Sequence, residues 1–110
     1  MEKVFVLVRM WDKVPHGHET VERISTDIYP ILDYIKSFSY MGKNPTIEMD
    51  ESFNMNSICK KEGAQRIASY FQNSGKSICQ HFIKVSGYKF DDSEEEMDYV
   101  LYRLQVRNLH

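Results

Sequence analysis

Apolar and polar positions along the chain alternate between strand-like and helix-like spacing. Residues 3–11 are rich in Val and Phe and almost continuously apolar, as expected of a strand covered on both sides and central in its sheet. Residues 12–18 contain Pro15 and Gly17 and read as a turn. Residues 19–25 include Thr20, Val21, Ile24 and Ser25. They read as the return strand of a hairpin, although their alternation is poor.

The clearest helix follows. Asp27 suits an N-cap, and Pro30 then falls in the first turn, where its missing N–H costs nothing. Ile28, Ile31, Leu32, Ile35 and Phe38 recur at helical spacing, and Gly42 supplies a stop. Residues 45–58 read as two short strands, one carrying Ile47 and Met49, the other Phe53 and Met55. A second helix is expected over about residues 60–73, with Ala64, Ile67, Ala68 and Phe71 on its buried side. Residues 78–90 form a long strand pattern interrupted at Gly87.

The C-terminal stretch supports two readings. Ser93 followed by Glu96 resembles a capping box, with Met97, Val100, Leu101 and Leu104 as a helical stripe. Alternation of Val100, Tyr102, Leu104 and Val106 with Leu101, Arg103 and Gln105 favours a strand, the reading preferred here. The resulting fold class is α+β. It is a five- or six-stranded antiparallel or mixed sheet with two helices packed on one face, with a ferredoxin-like β-α-β-β-α-β flavour.

Composition narrows the setting. At 110 residues, with 42% hydrophobic and 13% aromatic side chains, the chain suits one domain with an ordinary core. A net charge of −2 and a pI near 6.1 argue against nucleic acid, which needs a concentrated basic footprint. No apolar run is long enough to span a membrane, and no secretory leader is recognisable. Cys59 and Cys79 make no disulfide framework. A soluble, cytoplasmic protein is the expectation.

Candidate chemistry is sparse. His16 and His18 have a spacing that lets two imidazoles of an extended segment hold one divalent metal such as zinc, and His81 could join them. The structural alternative is a solvated turn for His16 and His18 and a core role for His81. Cys59, followed by Lys60 and Lys61, lacks an identifiable base. Asp12, just past a buried strand, is the best-placed acid or base among the carboxylates, on position alone. No phosphate-cradling glycine loop, serine elbow or zincin helix is present, so a well-marked enzyme class is not indicated.

One local charge block stands out: Asp91, Asp92, Glu94, Glu95, Glu96 and Asp98 put six carboxylates into eight positions. Tyr88, Phe90, Tyr99 and Tyr102 flank it. Aromatic anchors with a charged rim are an interface composition. The leading expectation is therefore a small cytosolic protein-binding module of the inhibitor, immunity or adaptor kind, without a cofactor. Its acidic surface (Asp91, Asp92, Glu94, Glu95, Glu96, Tyr88, Tyr99) would face a basic protein partner. The alternative is a small metal-dependent enzyme or metal-binding domain on His16 and His18. Homodimerisation through an exposed sheet face is compatible with either.

Overall fold

Among the described residues, five strands and two helices follow in the order β1 (Lys3–Met10), β2 (Glu19–Ser25), α1 (Ile28–Lys36), β3 (Thr46–Asp50), α2 (Ala64–Asn73), β4 (Cys79–Tyr88) and β5 (Met97–Asn108). The structure, a computed structural model, describes residues 3–13, 17–37, 45–50, 62–73, 79–88 and 97–108. The described sheet has strand order β2-β1-β5-β4-β3, and all four pairings are antiparallel. The mixed-sheet option thus gives way to a purely antiparallel one. A further strand expected around Phe53 and Met55 lies outside the described residues.

The C-terminal stretch is a strand. β5 occupies the middle of the sheet, paired with β1 on one side and β4 on the other. Val100, Leu101, Tyr102, Leu104 and Val106 are all buried, so the residues that imitated a helical stripe cover both faces of one extended segment. β4 runs through Gly87, which pairs with Asp98, so the glycine does not interrupt it.

One core cluster joins Phe5 and Leu7, Ile47 and Met49, Ile83 and Val85, and Val100, Tyr102, Leu104 and Val106 to Ile28, Ile31, Leu32 and Ile35 of α1 and Ile67, Ala68 and Phe71 of α2. Each fully buried Val, Leu, Ile, Phe or Met side chain among them adds roughly 1.5–3 kcal/mol of transfer free energy. α1 starts as expected: the Asp27 carboxylate accepts the Tyr29 N–H at 3.1 Å, and Pro30 lies in the first turn. The helix ends earlier than the glycine signal suggested, at a Ser37 cap whose N–H bonds to the Asp33 carbonyl. Phe38 and Gly42 lie outside the described residues. α2 likewise starts later, because the Gly63 carbonyl accepts the N–H groups of Arg66 and Ile67 and opens the helix there. No described helix is long and apolar enough to cross a membrane.

Strand β2 carries one irregularity. Leu7 pairs with Arg23 and Val8 with Val21, leaving Glu22 as an extra residue, a β-bulge. This explains the poor alternation of residues 19–25, because the bulge puts the two apolar positions, Val21 and Ile24, three apart yet on one side of the sheet. A second, smaller cluster of Met10, Phe82 and Leu101, with Tyr99 against it, covers the side of the sheet opposite Leu7.

Candidate functional site

Among its described residues, the β1–β2 connection is closed by several hydrogen bonds. The Trp11 N–H bonds to the His18 carbonyl at 2.9 Å and the Lys13 N–H to the Met10 carbonyl at 3.1 Å. Lys13 adopts the left-handed conformation, at φ 58°. The Asp12 carboxylate accepts the His18 N–H at 2.8 Å. Gly17 makes room for that carboxylate, since a Cβ there would sit 2.8 Å from Asp12 Oδ2. Asp12, the best-placed acid or base by position, therefore has a turn-closing role.

At the base of this turn stands Trp11, the one tryptophan of the chain. It is 45% exposed. Even so, its indole N–H donates to Thr20 Oγ1 at 2.8 Å, and the Arg9 guanidinium lies 3.6 Å from its ring centre. The His18 ring is tilted beside it at 6.5 Å. An exposed indole usually gains from turning freely; here two contacts hold it in one orientation.

The cation–aromatic pattern continues along β2. Arg23 lies over the Tyr34 ring at 4.1 Å, and the Tyr34 hydroxyl donates to Glu22 Oε2 at 3.2 Å. Burial pushes the Tyr34 hydroxyl pKa above its ordinary value, the Glu22 carboxylate adds to this, and Arg23 and Arg9 pull the other way. Tyr102, from β5, is fully buried next to this group, and burial raises its pKa strongly, with Arg9 again opposing.

On the other side of the same sheet end, Tyr99 of β5 has Lys13 Nζ at 4.1 Å and Lys84 Nζ at 4.9 Å from its ring centre. Lys13 belongs to the β1–β2 turn, so Trp11 and Tyr99 flank one end of the molecule. β4 and β5 also continue there, pairing as far as Tyr88 with Met97, beyond the last β3 pairing (Thr46 with Ser86) and the last β1 pairing (Met10 with Leu101). The acidic residues Asp91, Asp92, Glu94, Glu95 and Glu96 connect these two strands and lie outside the described residues. Of the other expected interface residues, Tyr99 is half-buried under the two lysines, and Tyr88 is placed by its backbone pairing alone.

The three histidines of the metal reading fare differently. His16 lies outside the described residues, and His18 is exposed in the turn. His81 is 1% exposed, with its ring edge-on to Phe71 at 5.0 Å and Tyr70 at 5.2 Å. It pairs with Leu104, in the row of Leu7. His18 immediately precedes β2, three strands from β4, and its carbonyl accepts the N–H of Trp11, four residues along from Leu7. At ordinary strand spacings that is roughly 20 Å, too far to share one ion. Among the described residues no three His, Cys, Asp or Glu side chains group as metal ligands. Cys59 lies outside them.

A cavity of about 540 Å³ opens between Lys36, Ile47 and the start of α2 at Gly63 and Ala64. Among the described residues its ionisable lining is Lys36 and Glu62. The sequence pointed to the acidic connection and to Tyr99; it did not single out Trp11 or Arg9. The available signal was a lone tryptophan two residues after an arginine, a spacing that puts both side chains on the same side of a strand. Comparison with protein-family models, with curated proteins and with solved structures returned no match to this chain.

Proposed function

We propose that this chain is a small protein-binding module whose working surface is the sheet end framed by Trp11, Arg9 and Tyr99 and continued by the acidic connection, residues 91–96. One observation carries the reading: Trp11 is nearly half exposed but held by Arg9 and Thr20. Tryptophan and arginine are the residues most often found at the energetic centre of protein interfaces. An aromatic side chain fixed before binding loses less freedom on association. In this reading the module works in the cytoplasm as an inhibitor, immunity-type protein or adaptor. Its two helices lie on one face of the sheet, in a ferredoxin-like layering, and its partner is basic. The carboxylates of residues 91–96 steer the encounter, and Trp11 supplies the anchor.

The test begins with capture of partners from the host lysate at low salt by the tagged chain, and identification of what is retained in stoichiometric amount. Binding of that purified partner is then timed for three forms of the chain. Trp11→Ala is expected to speed dissociation tenfold or more, on the order of a hot-spot loss. Reversal of Glu94, Glu95 and Glu96 to lysine is expected to slow association and flatten its dependence on salt between ~50 and ~500 mM. A partner whose dissociation ignores Trp11→Ala overturns the proposed surface. Association rates of the wild type that do not respond to salt overturn the steering role.

A further inference from the structure

The outer edge of β2 has no strand paired with it among the described residues, and it carries the two most exposed large apolar side chains described, Val21 at 58% and Ile24 at 64%. Open edges of this kind are normally blunted, and the bulge at Glu22 partly does so. It also restricts what can pair there. Arg23 and Glu22 both reach Tyr34 on the α1 side of the sheet, and Thr20 and Ser25 lie on that side, paired with Arg9 and Phe5. Val21 and Ile24, paired with Val8 and Val6, point to the other side. The order of sides from Thr20 to Ser25 is thus a palindrome centred between Glu22 and Arg23.

We infer that β2 pairs antiparallel with β2 of a second copy of this chain, about a two-fold axis between Glu22 and Arg23, joining two five-stranded sheets into one. In this register Glu22 meets Arg23 of the second copy twice, Val21 meets Ile24 twice, and Thr20 meets Ser25 twice. These are an ion pair, an aliphatic pair and a hydroxyl pair, the combinations that stabilise neighbouring strands. A regular strand could not adopt the register, because its paired positions would fall on opposite sides. The bulge makes the sides agree. A regular strand, such as β1, leaves Glu22 without a counterpart, whereas the symmetric register pairs all six positions and sets Glu22 against Arg23, and this charge complementarity favours a second copy. The charged pair is also held ready: the Tyr34 hydroxyl steadies Glu22, and Arg23 Nη1 donates to the Glu22 carbonyl at 2.7 Å. A carboxylate and a guanidinium each keep further bonding capacity after such a contact. This pairing shares Thr20 with the Trp11 surface but does not rest on the binding role proposed for that surface.

The experiment is sedimentation velocity on the full chain from ~5 to ~500 µM, the range of a weak interface of single-strand size. The wild type is expected to shift from monomer to dimer across it. Glu22→Arg alone sets Arg against Arg, and Arg23→Glu alone sets Glu against Glu, so each variant is expected to dimerise at least roughly tenfold more weakly. An equimolar mixture of the two is expected to form a heterodimer in which both pairs are again opposite in charge. Ile24→Lys, which leaves the Glu22, Arg23 and Tyr34 contacts alone, is expected to be monomeric. The inference is overturned by a wild type that stays monomeric throughout, by single variants that dimerise as the wild type does, or by a mixture of charge variants that yields no heterodimer.

Discussion

The Arg9 guanidinium lies 3.6 Å from the centre of the Trp11 ring, two residues further along the chain on the same side of the sheet. A contact of this kind at an exposed site is worth about 0.5–1 kcal/mol, enough to bias a rotamer and too little to govern folding. Arg9→Leu should therefore leave the fold intact and release the indole. Because Trp11 is the one tryptophan, its fluorescence reports this directly. Acrylamide quenching should increase in the variant, while the urea midpoint moves only slightly. Unchanged quenching would mean that the bond to Thr20 and the turn hold the ring without Arg9.

Tyr102 presents the opposite case, a polar group fully buried. Its hydroxyl has no hydrogen-bond partner among the described residues. Burying an unsatisfied hydroxyl costs about 1–3 kcal/mol, so Tyr102→Phe should raise stability near neutral pH by about 1 kcal/mol. The pH dependence follows from the raised pKa. Below the ordinary tyrosine value of 10.0 the hydroxyl is neutral both folded and unfolded, and its contribution is fully present. Above it the unfolded tyrosine ionises while the buried one does not, so stability falls as pH rises toward the higher folded value. Tyr34 is shifted the same way, first by burial and then by Glu22. Urea unfolding at about pH 8 and about pH 11 should show a smaller alkaline loss for Tyr102→Phe than for the wild type. A variant less stable than the wild type near pH 8 would disprove the unsatisfied hydroxyl.

What could be read from the sequence was what repeats along the chain. The stripe of Ile28, Ile31, Leu32 and Ile35 located α1, and the Asp27 cap marked its start, because both signals are local. The two-sided apolar character of β1 and the alternation in β5 likewise gave the strands. Pairing was not legible: nothing local to residues 97–108 says that they separate β1 from β4 in the sheet. The bulge left a trace, the three-residue spacing of Val21 and Ile24, which only the register with Leu7 and Val8 explains. The Trp11 site depends on Thr20 and His18, brought alongside by the turn, and such contacts across a turn have no periodic signature. His81 is the opposite case. Its place on one strand face with Ile83 and Val85 favoured a core role over a metal-binding one, and it is buried against Tyr70 and Phe71 of α2.

The side of the sheet opposite Leu7 raises a separate question, since Val8, Met10, Phe82 and Leu101 are buried there. Part of the answer is Arg103. From β5 it spans β1 to form an ion pair with Glu19 on β2, and it donates to Gln80 Oε1 on β4 at 3.3 Å. Gln105 donates to the same oxygen at 3.3 Å. Arg103 is the pairing neighbour of Val8 and Phe82 on this side of the sheet, so its aliphatic stem is set beside them, and its side chain stays partly in solvent, as long cationic side chains commonly do. Its side chain is 26% exposed and that of Glu19 20%, so the pair is screened and its own worth is small, on the order of 1 kcal/mol or less. Cover should outweigh charge. Arg103→Ala, which removes both, is expected to cost about 2 kcal/mol, and Arg103→Met, which keeps most of the stem, about half of that. Urea unfolding of the two variants separates the contributions. If Met proves as costly as Ala, the ion pair, and not the stem, holds this face closed, and Glu19→Gln should then reproduce the loss.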